Sequence, residues 1–307
     1  MKRKDPLHTR SFAPLAARRL NAPAPLRFWH LASLDAPAVA VVWALGFAWA
    51  AEVRLAVWVL IVMALTVWVV YLADRLLDAF GSLRASQAGD LRDRHWFHWR
   101  HRRILIPLAV AAALAAACIV AVSMPAPVCE PDAILAVAAL AYFARVHAGA
   151  AFQSRTRAST PPVMSKEFLV GILFTAGCVL PAWIGSRPTQ AAALAAAFFA
   201  VLAWLNCHAI ERWEAQPAKA REGRIARAAL TLAFAGITLA AAAAAWQTRV
   251  SVLLLAGTAS ALLLALLDRS RHRLTPLALR VSADLALLTP LGVLWRSWVC
   301  RQGSFSG

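Results

Sequence analysis

Long apolar runs, separated by short polar and charged segments, make up most of the chain after residue 33. A helix needs about 20 such residues to cross the hydrocarbon core of a bilayer, and backbone groups in lipid must be bonded within their own segment. The pattern therefore predicts an all-α polytopic membrane protein. Its nine transmembrane helices are predicted at 34–51, 55–79, 103–124, 132–152, 165–185, 190–211, 225–246, 250–268 and 276–297.

Composition agrees with a membrane protein, since 61% of the 307 residues are hydrophobic and the mean hydropathy is +0.62. The formal net charge of +17 would also suit a nucleic-acid-binding protein. However, the Lys and Arg residues lie between the apolar runs and not on one basic domain, so we expect membrane lipids and no nucleic acid as partners.

The distribution of positive charge predicts the orientation of the chain. With the N-terminus inside, 27 of the 32 Lys and Arg residues fall on the inner side and five on the outer side. Such asymmetry is the positive-inside pattern. We therefore expect an integral protein of a bacterial inner membrane, with a cytoplasmic N-terminus and the C-terminus outside.

Three regions follow from this pattern. Residues 1–32 are basic and lack a continuous apolar core, which predicts a cytoplasmic arm and not a cleavable signal peptide. Residues 33–299 form the predicted membrane domain, and residues 300–307 form a short C-terminal tail.

The stretch "YLADRLLD" ends the second predicted span with two carboxylates, Asp74 and Asp78. A step of four residues on a helix turns by only about 40° and rises about 6 Å, so both side chains point the same way. Like charges at that spacing repel, and ionisable residues at the membrane are functional candidates. The alternative is a pair of interfacial charges satisfied by Arg75, Arg84 and water.

A second oxygen-rich helix end, "WLNCHAIERWEAQ", closes the sixth span on the same predicted side. Its candidate ligands are Asn206, Glu211 and Glu214. Glu214 follows Asp78 by 136 residues, and four spans fill that interval. This spacing predicts two four-helix repeats plus a final helix. Oxygen ligands from two helix ends suit Mg²⁺ with a phosphate as co-ligand, and the nearby Arg residues suit an anionic substrate.

At these residues the chain resembles the UbiA superfamily of intramembrane prenyltransferases, which has nine helices and aspartate-rich motifs at the inner ends of helices two and six. The first motif is matched by Ala73, Asp74, Arg75 and Asp78, and the second by Asn206 and Glu214. Val70 and Tyr71 stand here in place of the leading Asn-Asp pair of the family's first motif, and Ile210 stands where the second motif has an acid.

The resemblance implies Mg²⁺-dependent transfer of a prenyl group from a prenyl diphosphate to an aromatic or other lipophilic acceptor. The implied catalytic metal ligands are Asp74, Asp78 and Glu214, assisted by Glu211. The implied substrate contacts are Arg75, Arg84, Lys166 and Asn206. Acceptor, prenyl chain length and oligomeric state are left open.

Two other interpretations remain open. The first is a non-catalytic membrane protein that binds a lipid or a partner in the same cleft, which the missing acids favour. The second is a small secondary transporter with a cytoplasmic anion site. Two further acids, Asp35 and Asp284, lie inside the first and ninth predicted spans. The spacing of Arg280 and Asp284 predicts an internal ion pair.

Overall fold

The computed structural model describes residues 20–84, 93–149, 166–184, 186–215 and 223–303, without the side chains of 81–96, 127, 145–149 and 300–303. Residues 1–19 of the predicted arm and 304–307 of the predicted tail lie outside it. Within the described residues there is no sheet, only an isolated bridge between Leu20 and Leu274. The α-helices are α1 (Ala24–Leu31), α2 (Asp35–Ala50), α3 (Val57–Arg84), α4 (Asp93–Ser123), α5 (Ala126–Gly149), α6 (Lys166–Ile184), α7 (Gln190–Ala215), α8 (Arg224–Ala244), α9 (Thr248–Ser270), α10 (Pro276–Ala286) and α11 (Pro290–Gly303).

The helices are those of a polytopic membrane protein, which agrees with the predicted fold class. In the described part of the chain, six helices are long and apolar enough to cross a membrane: α3, α4, α6, α7, α8 and α9. Two bent pairs, α1 with α2 and α10 with α11, raise the number to eight when each pair counts as one span. The predicted number of nine is not confirmed, because α5, at the fourth predicted span, is not among these helices.

The core of the bundle lies around α2, α7 and α9. Trp43 of α2 stacks on Phe199 of α7 with ring centroids 3.9 Å apart, and both rings are buried. More than half of the most apolar part of α7 and of α9 is buried, whereas only 6% is buried in α3 and α4. Because α3 and α4 bury so little of their surface in the protein, we expect them to face lipid.

Close helix approach in this core depends on small residues. A Cβ built on Gly236 of α8 would come 2.2 Å from Thr258 Oγ1 of α9, and one built on Gly257 would come 2.7 Å from the ring of Phe198. Neither distance is possible for a real side chain unless the neighbouring atoms move. Glycine at these two positions therefore allows α8 and α9 to pack against each other and against Phe198, as small residues do between membrane helices.

Two breaks shape the part of the bundle that carries polar side chains. The first separates α1 from α2, which meet at 85°, and it places Ser33 at a φ of 59°. Trp68 of α3 donates to the Ala32 carbonyl at 2.9 Å and holds this break against the bundle. The second separates α10 from α11, which meet at 44°. Pro290 begins α11, where its fixed φ and missing N–H are tolerated.

The first described residues are bonded to the segment before α10. Leu20 N–H donates to the Arg273 carbonyl at 2.8 Å, and Thr275 N–H donates to the Leu20 carbonyl at 3.0 Å. The Thr275 hydroxyl accepts from Ala278 N–H at 3.3 Å and so caps the first turn of α10. These bonds hold the chain that leads into α1 beside the start of α10.

Candidate functional site

A buried imidazole and a buried carboxylate lie on either side of the first break. His30 in the last turn of α1 and Asp35, the first residue of α2, are 1% and 5% exposed. His30 Nδ1 and Asp35 Oδ2 are 2.5 Å apart, so one proton joins them. The other oxygen of Asp35 accepts from Ala36 N–H at 3.0 Å. The sharp turn between α1 and α2 brings the two side chains together across the break.

Arg75 of α3 reaches this pair from the first motif. Its Nη1 donates to the His30 carbonyl at 3.0 Å, and its Nη2 lies 3.9 Å from Asp35 Oδ2. The residue is 5% exposed. The family resemblance predicts a contact of Arg75 with a diphosphate. In the structure the guanidinium is engaged inside the protein, where it offsets the charge of a buried carboxylate.

Asp284 of α10 and Asn206 of α7 continue the same set of contacts. Asp284 Oδ2 lies 3.6 Å from His30 Nδ1, and Asn206 Nδ2 donates to Asp284 Oδ1 at 3.2 Å. We call His30, Asp35, Arg75, Asn206 and Asp284 the polar cluster. It joins α1, α2, α3, α7 and α10, and it therefore connects the helix of the first motif to the helix of the second.

Two atoms of the polar cluster are buried without a hydrogen-bond partner among the described residues. They are His30 Nε2 and Asn206 Oδ1. Buried polar atoms in proteins nearly always have a partner, and an unsatisfied one costs about 1–3 kcal/mol. The cluster thus has unused ligand or hydrogen-bonding capacity in the interior of the bundle.

The acids of the first motif lie next to Lys166. Its Nζ donates to Asp74 Oδ1 at 3.1 Å, from the first residue of α6. The side chains of Lys166 and Asp74 are 40% and 33% exposed, so this pair is open to the solvent. Asp78 is half-buried and acts electrostatically on the same ammonium group. The structure thus brings together three of the predicted site residues, whereas the side chain of Arg84 lies outside the described residues.

The acids of the second motif lie in two different environments. Glu214 Oε1 accepts from Arg280 Nη1 of α10 at 2.7 Å, and both side chains are partly buried. Glu211 is exposed. Sequence spacing predicts that Arg280 pairs with Asp284 four residues along α10. Arg280 instead pairs with Glu214 across the helix interface, and Asp284 turns to Asn206 and His30.

Sequence reasoning missed His30 altogether. It lies in the stretch predicted to be a basic arm, and no spacing pattern distinguishes it from the other histidines. Asp35 and Asp284 did carry a signal, because acids inside apolar spans are rare and tend to be functional. That signal does not reveal that the first and ninth predicted spans bring these acids together.

The comparisons with known proteins do not assign the chain to a family. No family model, no curated protein and no solved structure matches it. The resemblance to the UbiA superfamily therefore rests on the two short motifs, and the prenyltransferase activity and the Mg²⁺ dependence stay predictions.

Proposed function

We propose that the chain is an intramembrane prenyltransferase that transfers a prenyl group from a prenyl diphosphate to an aromatic or other lipophilic acceptor. The observation that carries the proposal is the convergence of the two motif helices. Arg75 of α3 and Asn206 of α7 belong to one polar cluster. A cleft shared by two acidic helix ends needs this kind of convergence.

The first motif has the groups that a diphosphate and its cation require. Asp74 and Asp78 offer carboxylate oxygens, which suit Mg²⁺, and Lys166 offers a cation 3.1 Å from Asp74. When bound with the substrate, Mg²⁺ would stabilise the charge on the departing diphosphate. Lys166 would move from Asp74 to a phosphate oxygen, since its exposed pair with Asp74 is weak.

The remaining site residues take roles that follow from their contacts. Glu214 would complete the oxygen ligands after leaving Arg280, which would then be available to the diphosphate. Glu211 and Asn206 would assist from α7. Arg75 is buried in the polar cluster, so we assign it a positioning role and not the predicted phosphate contact.

The proposed transfer is balanced within the two substrates. The bond between the prenyl carbon and the diphosphate oxygen breaks, and the diphosphate leaves with the electron pair. The acceptor forms the new bond to the prenyl carbon and then loses a proton. The protein contributes positive charge at the leaving group and an apolar interior from which water is excluded.

We also propose the finer topology that the charge distribution predicts. The fourth predicted span corresponds to α5, whose 24 residues measure about 36 Å at 1.5 Å per residue. That length is sufficient to cross a bilayer even though Glu130 and Asp132 lie in its first part. With α5 and the two bent pairs, the chain has nine spans, a cytoplasmic N-terminus and its C-terminus outside, in a bacterial inner membrane.

One observation favours the second candidate function, a non-catalytic protein that binds a lipid or a partner. Asp74 and Glu214 are each already neutralised by a basic side chain, Lys166 and Arg280. Acids with internal partners have less need of a metal. In that case the same cleft would bind a ligand without chemistry, and Mg²⁺ would have no effect on binding.

Diphosphate release separates the two candidates. Purified protein in lipid nanodiscs is incubated with prenyl diphosphates of increasing chain length and a set of phenolic acceptors, with and without Mg²⁺. We expect Mg²⁺-dependent release that is abolished by Asp78→Ala and preserved in Asp132→Ala, on the opposite predicted side. Folded protein that neither releases diphosphate nor shows Mg²⁺-dependent binding at any chain length would refute the enzyme and support the binding protein.

A further inference from the structure

Three side chains of the polar cluster form a compact set of metal-ligating atoms. One ligand atom from each of His30, Asp35 and Asp284 lies within 4.8 Å of the others. They come from three different helices, α1, α2 and α10. None of these three belongs to the two acidic motifs, so this set is separate from the proposed diphosphate site.

The two carboxylates of this set need more positive charge than Arg75 alone provides. Asp35 and Asp284 both approach His30 Nδ1, at 2.5 Å and 3.6 Å. With a neutral imidazole, the two carboxylates exceed the single positive charge of Arg75 by one unit. An uncompensated charge is costly in the interior of a membrane protein. A bound cation or a proton must therefore accompany the two acids.

Asn206 supplies an independent observation that favours a metal ion. The residue is 4% exposed, and its amide group lies against the cluster because Nδ2 donates to Asp284 Oδ1 at 3.2 Å. The oxygen of the same amide, Oδ1, has no hydrogen-bond donor among the described residues. A proton held between His30 and Asp35 leaves this oxygen unsatisfied, whereas a metal ion at the cluster would give it a partner once the amide oxygen turns toward the ion.

We propose that His30, Asp35, Asp284 and Asn206 form a binding site for a divalent transition-metal ion of the Zn²⁺ class. One imidazole nitrogen, two carboxylate oxygens and one amide oxygen are a mixed set. Imidazole suits Zn²⁺ and its neighbours in the first transition row, whereas Mg²⁺ and Ca²⁺ take oxygen ligands. The proposal uses none of the carboxylates assigned to the diphosphate site and shares only Asn206 with it, so it does not depend on the prenyltransferase activity.

The two distances from His30 Nδ1 to the carboxylates are within about 1 Å of those that such an ion requires. Ligand atoms around a tetrahedral ion with bonds of about 2.0–2.1 Å lie about 3.3 Å apart. The 3.6 Å between His30 Nδ1 and Asp284 Oδ2 is already near that value. The 2.5 Å between His30 Nδ1 and Asp35 Oδ2 must widen when the ion replaces the proton. Metal binding therefore releases a proton and needs a side-chain shift of less than about 1 Å at Asp35.

Such a site would connect helices from the N-terminal part of the bundle to helices from its C-terminal part. His30 and Asp35 lie near the first described residues, whereas Asp284 lies in α10 and Asn206 in α7. Binding that occurs only in the folded state stabilises that state. We therefore expect Zn²⁺ to raise the thermal unfolding temperature of the whole protein.

Equilibrium dialysis of the full-length protein in nanodiscs against Zn²⁺, without diphosphate, tests the site. We expect one Zn²⁺ per chain in the wild type, and loss of that Zn²⁺ in His30→Gln and in Asp284→Asn. Asp132→Asn, which removes a carboxylate elsewhere, should retain it. Glu214→Gln should also retain it, and loss of Zn²⁺ in that variant would assign the metal to the acidic motifs and overturn the proposal.

X-ray absorption on the wild type tests the site without relying on variants that could misfold. We expect a ligand shell of oxygen and nitrogen with the signature of one imidazole and no sulfur. A shell that contains sulfur, or the absence of stoichiometric Zn²⁺ from folded protein, would overturn the proposal and leave a proton as the occupant. Failure of diphosphate release in a protein that binds Zn²⁺ would count against the proposed function alone.

Discussion

The substitution Arg75→Met separates an internal role for this arginine from a substrate-binding role. Arg75 Nη1 donates to the His30 carbonyl at 3.0 Å, and Nη2 lies 3.9 Å from Asp35 Oδ2. Methionine is unbranched, apolar and uncharged. In metal-free protein, where the prediction applies, it would leave two carboxylates, Asp35 and Asp284, without the guanidinium charge that partly offsets them.

The cost can be worked out from these distances. At 3.9 Å and an effective dielectric constant of about 20, the attraction between Arg75 and Asp35 is about 4 kcal/mol. Removing one partner of a buried ion pair typically lowers the unfolding free energy by about 3–5 kcal/mol. The His30 carbonyl keeps a second donor, Ser33 N–H at 3.0 Å, so the loss of its bond to Arg75 is less costly. Uptake of a proton by the cluster limits the damage, and we expect a loss of about 3 kcal/mol.

Unfolding in mixed micelles, titrated with a denaturing detergent, measures this loss. The matched control is Arg227→Met, which removes an exposed arginine from α8 and should change stability by no more than about 0.5 kcal/mol. In the double variant Arg75→Met with Asp35→Asn, the two losses should not add, because both changes act on one ion pair. A loss below about 1 kcal/mol for Arg75→Met, or full additivity, would refute the internal role.

Three further predictions follow from other parts of the structure. Gly236→Ala should lower the unfolding free energy by about 1–3 kcal/mol, since its Cβ would meet Thr258 Oγ1 at 2.2 Å. The control Gly177→Ala places its Cβ with no atom within 4 Å and should not lower the unfolding free energy. Both are measured in the same micelle titration, and equal effects would contradict the packing of α8 on α9. Lys166→Met should change the unfolding free energy by less than about 1 kcal/mol, because its ion pair is exposed. The same variant should lower diphosphate release. A large loss of stability with normal release would argue for a structural role. A reporter fused after Gly307 should give the outside signal, and an inside signal would exclude nine spans.

Much of the fold could be predicted from the lengths of the apolar runs. The second span is predicted at 55–79 and the helix is Val57–Arg84; the sixth is predicted at 190–211 and the helix is Gln190–Ala215. The breaks are less predictable. Pro290 marks the break before α11, but the residue with positive φ in the 85° bend before α2 is Ser33, which is neither glycine nor proline.

The partners of the site residues could not be predicted from sequence spacing. Arg280 is four residues from Asp284, yet it pairs with Glu214, which is 66 residues away. A long arginine side chain can reach across a helix interface as easily as along its own helix. The same limitation hid the polar cluster, because His30, Asp35 and Asp284 come together only when the first and last parts of the bundle pack.

The most direct test of the proposed function asks whether one metal ion contacts both the acidic motif and the diphosphate. Mn²⁺ can replace Mg²⁺ at carboxylate and phosphate oxygens, and its electron spin reports the coupling to nearby phosphorus nuclei. With a non-hydrolysable prenyl thiodiphosphate bound to the protein in nanodiscs, we predict phosphorus coupling to Mn²⁺ that is lost in Asp78→Ala. Prenyl thiodiphosphate that binds without any phosphorus coupling, or coupling that survives Asp78→Ala in folded protein, would contradict the proposed site.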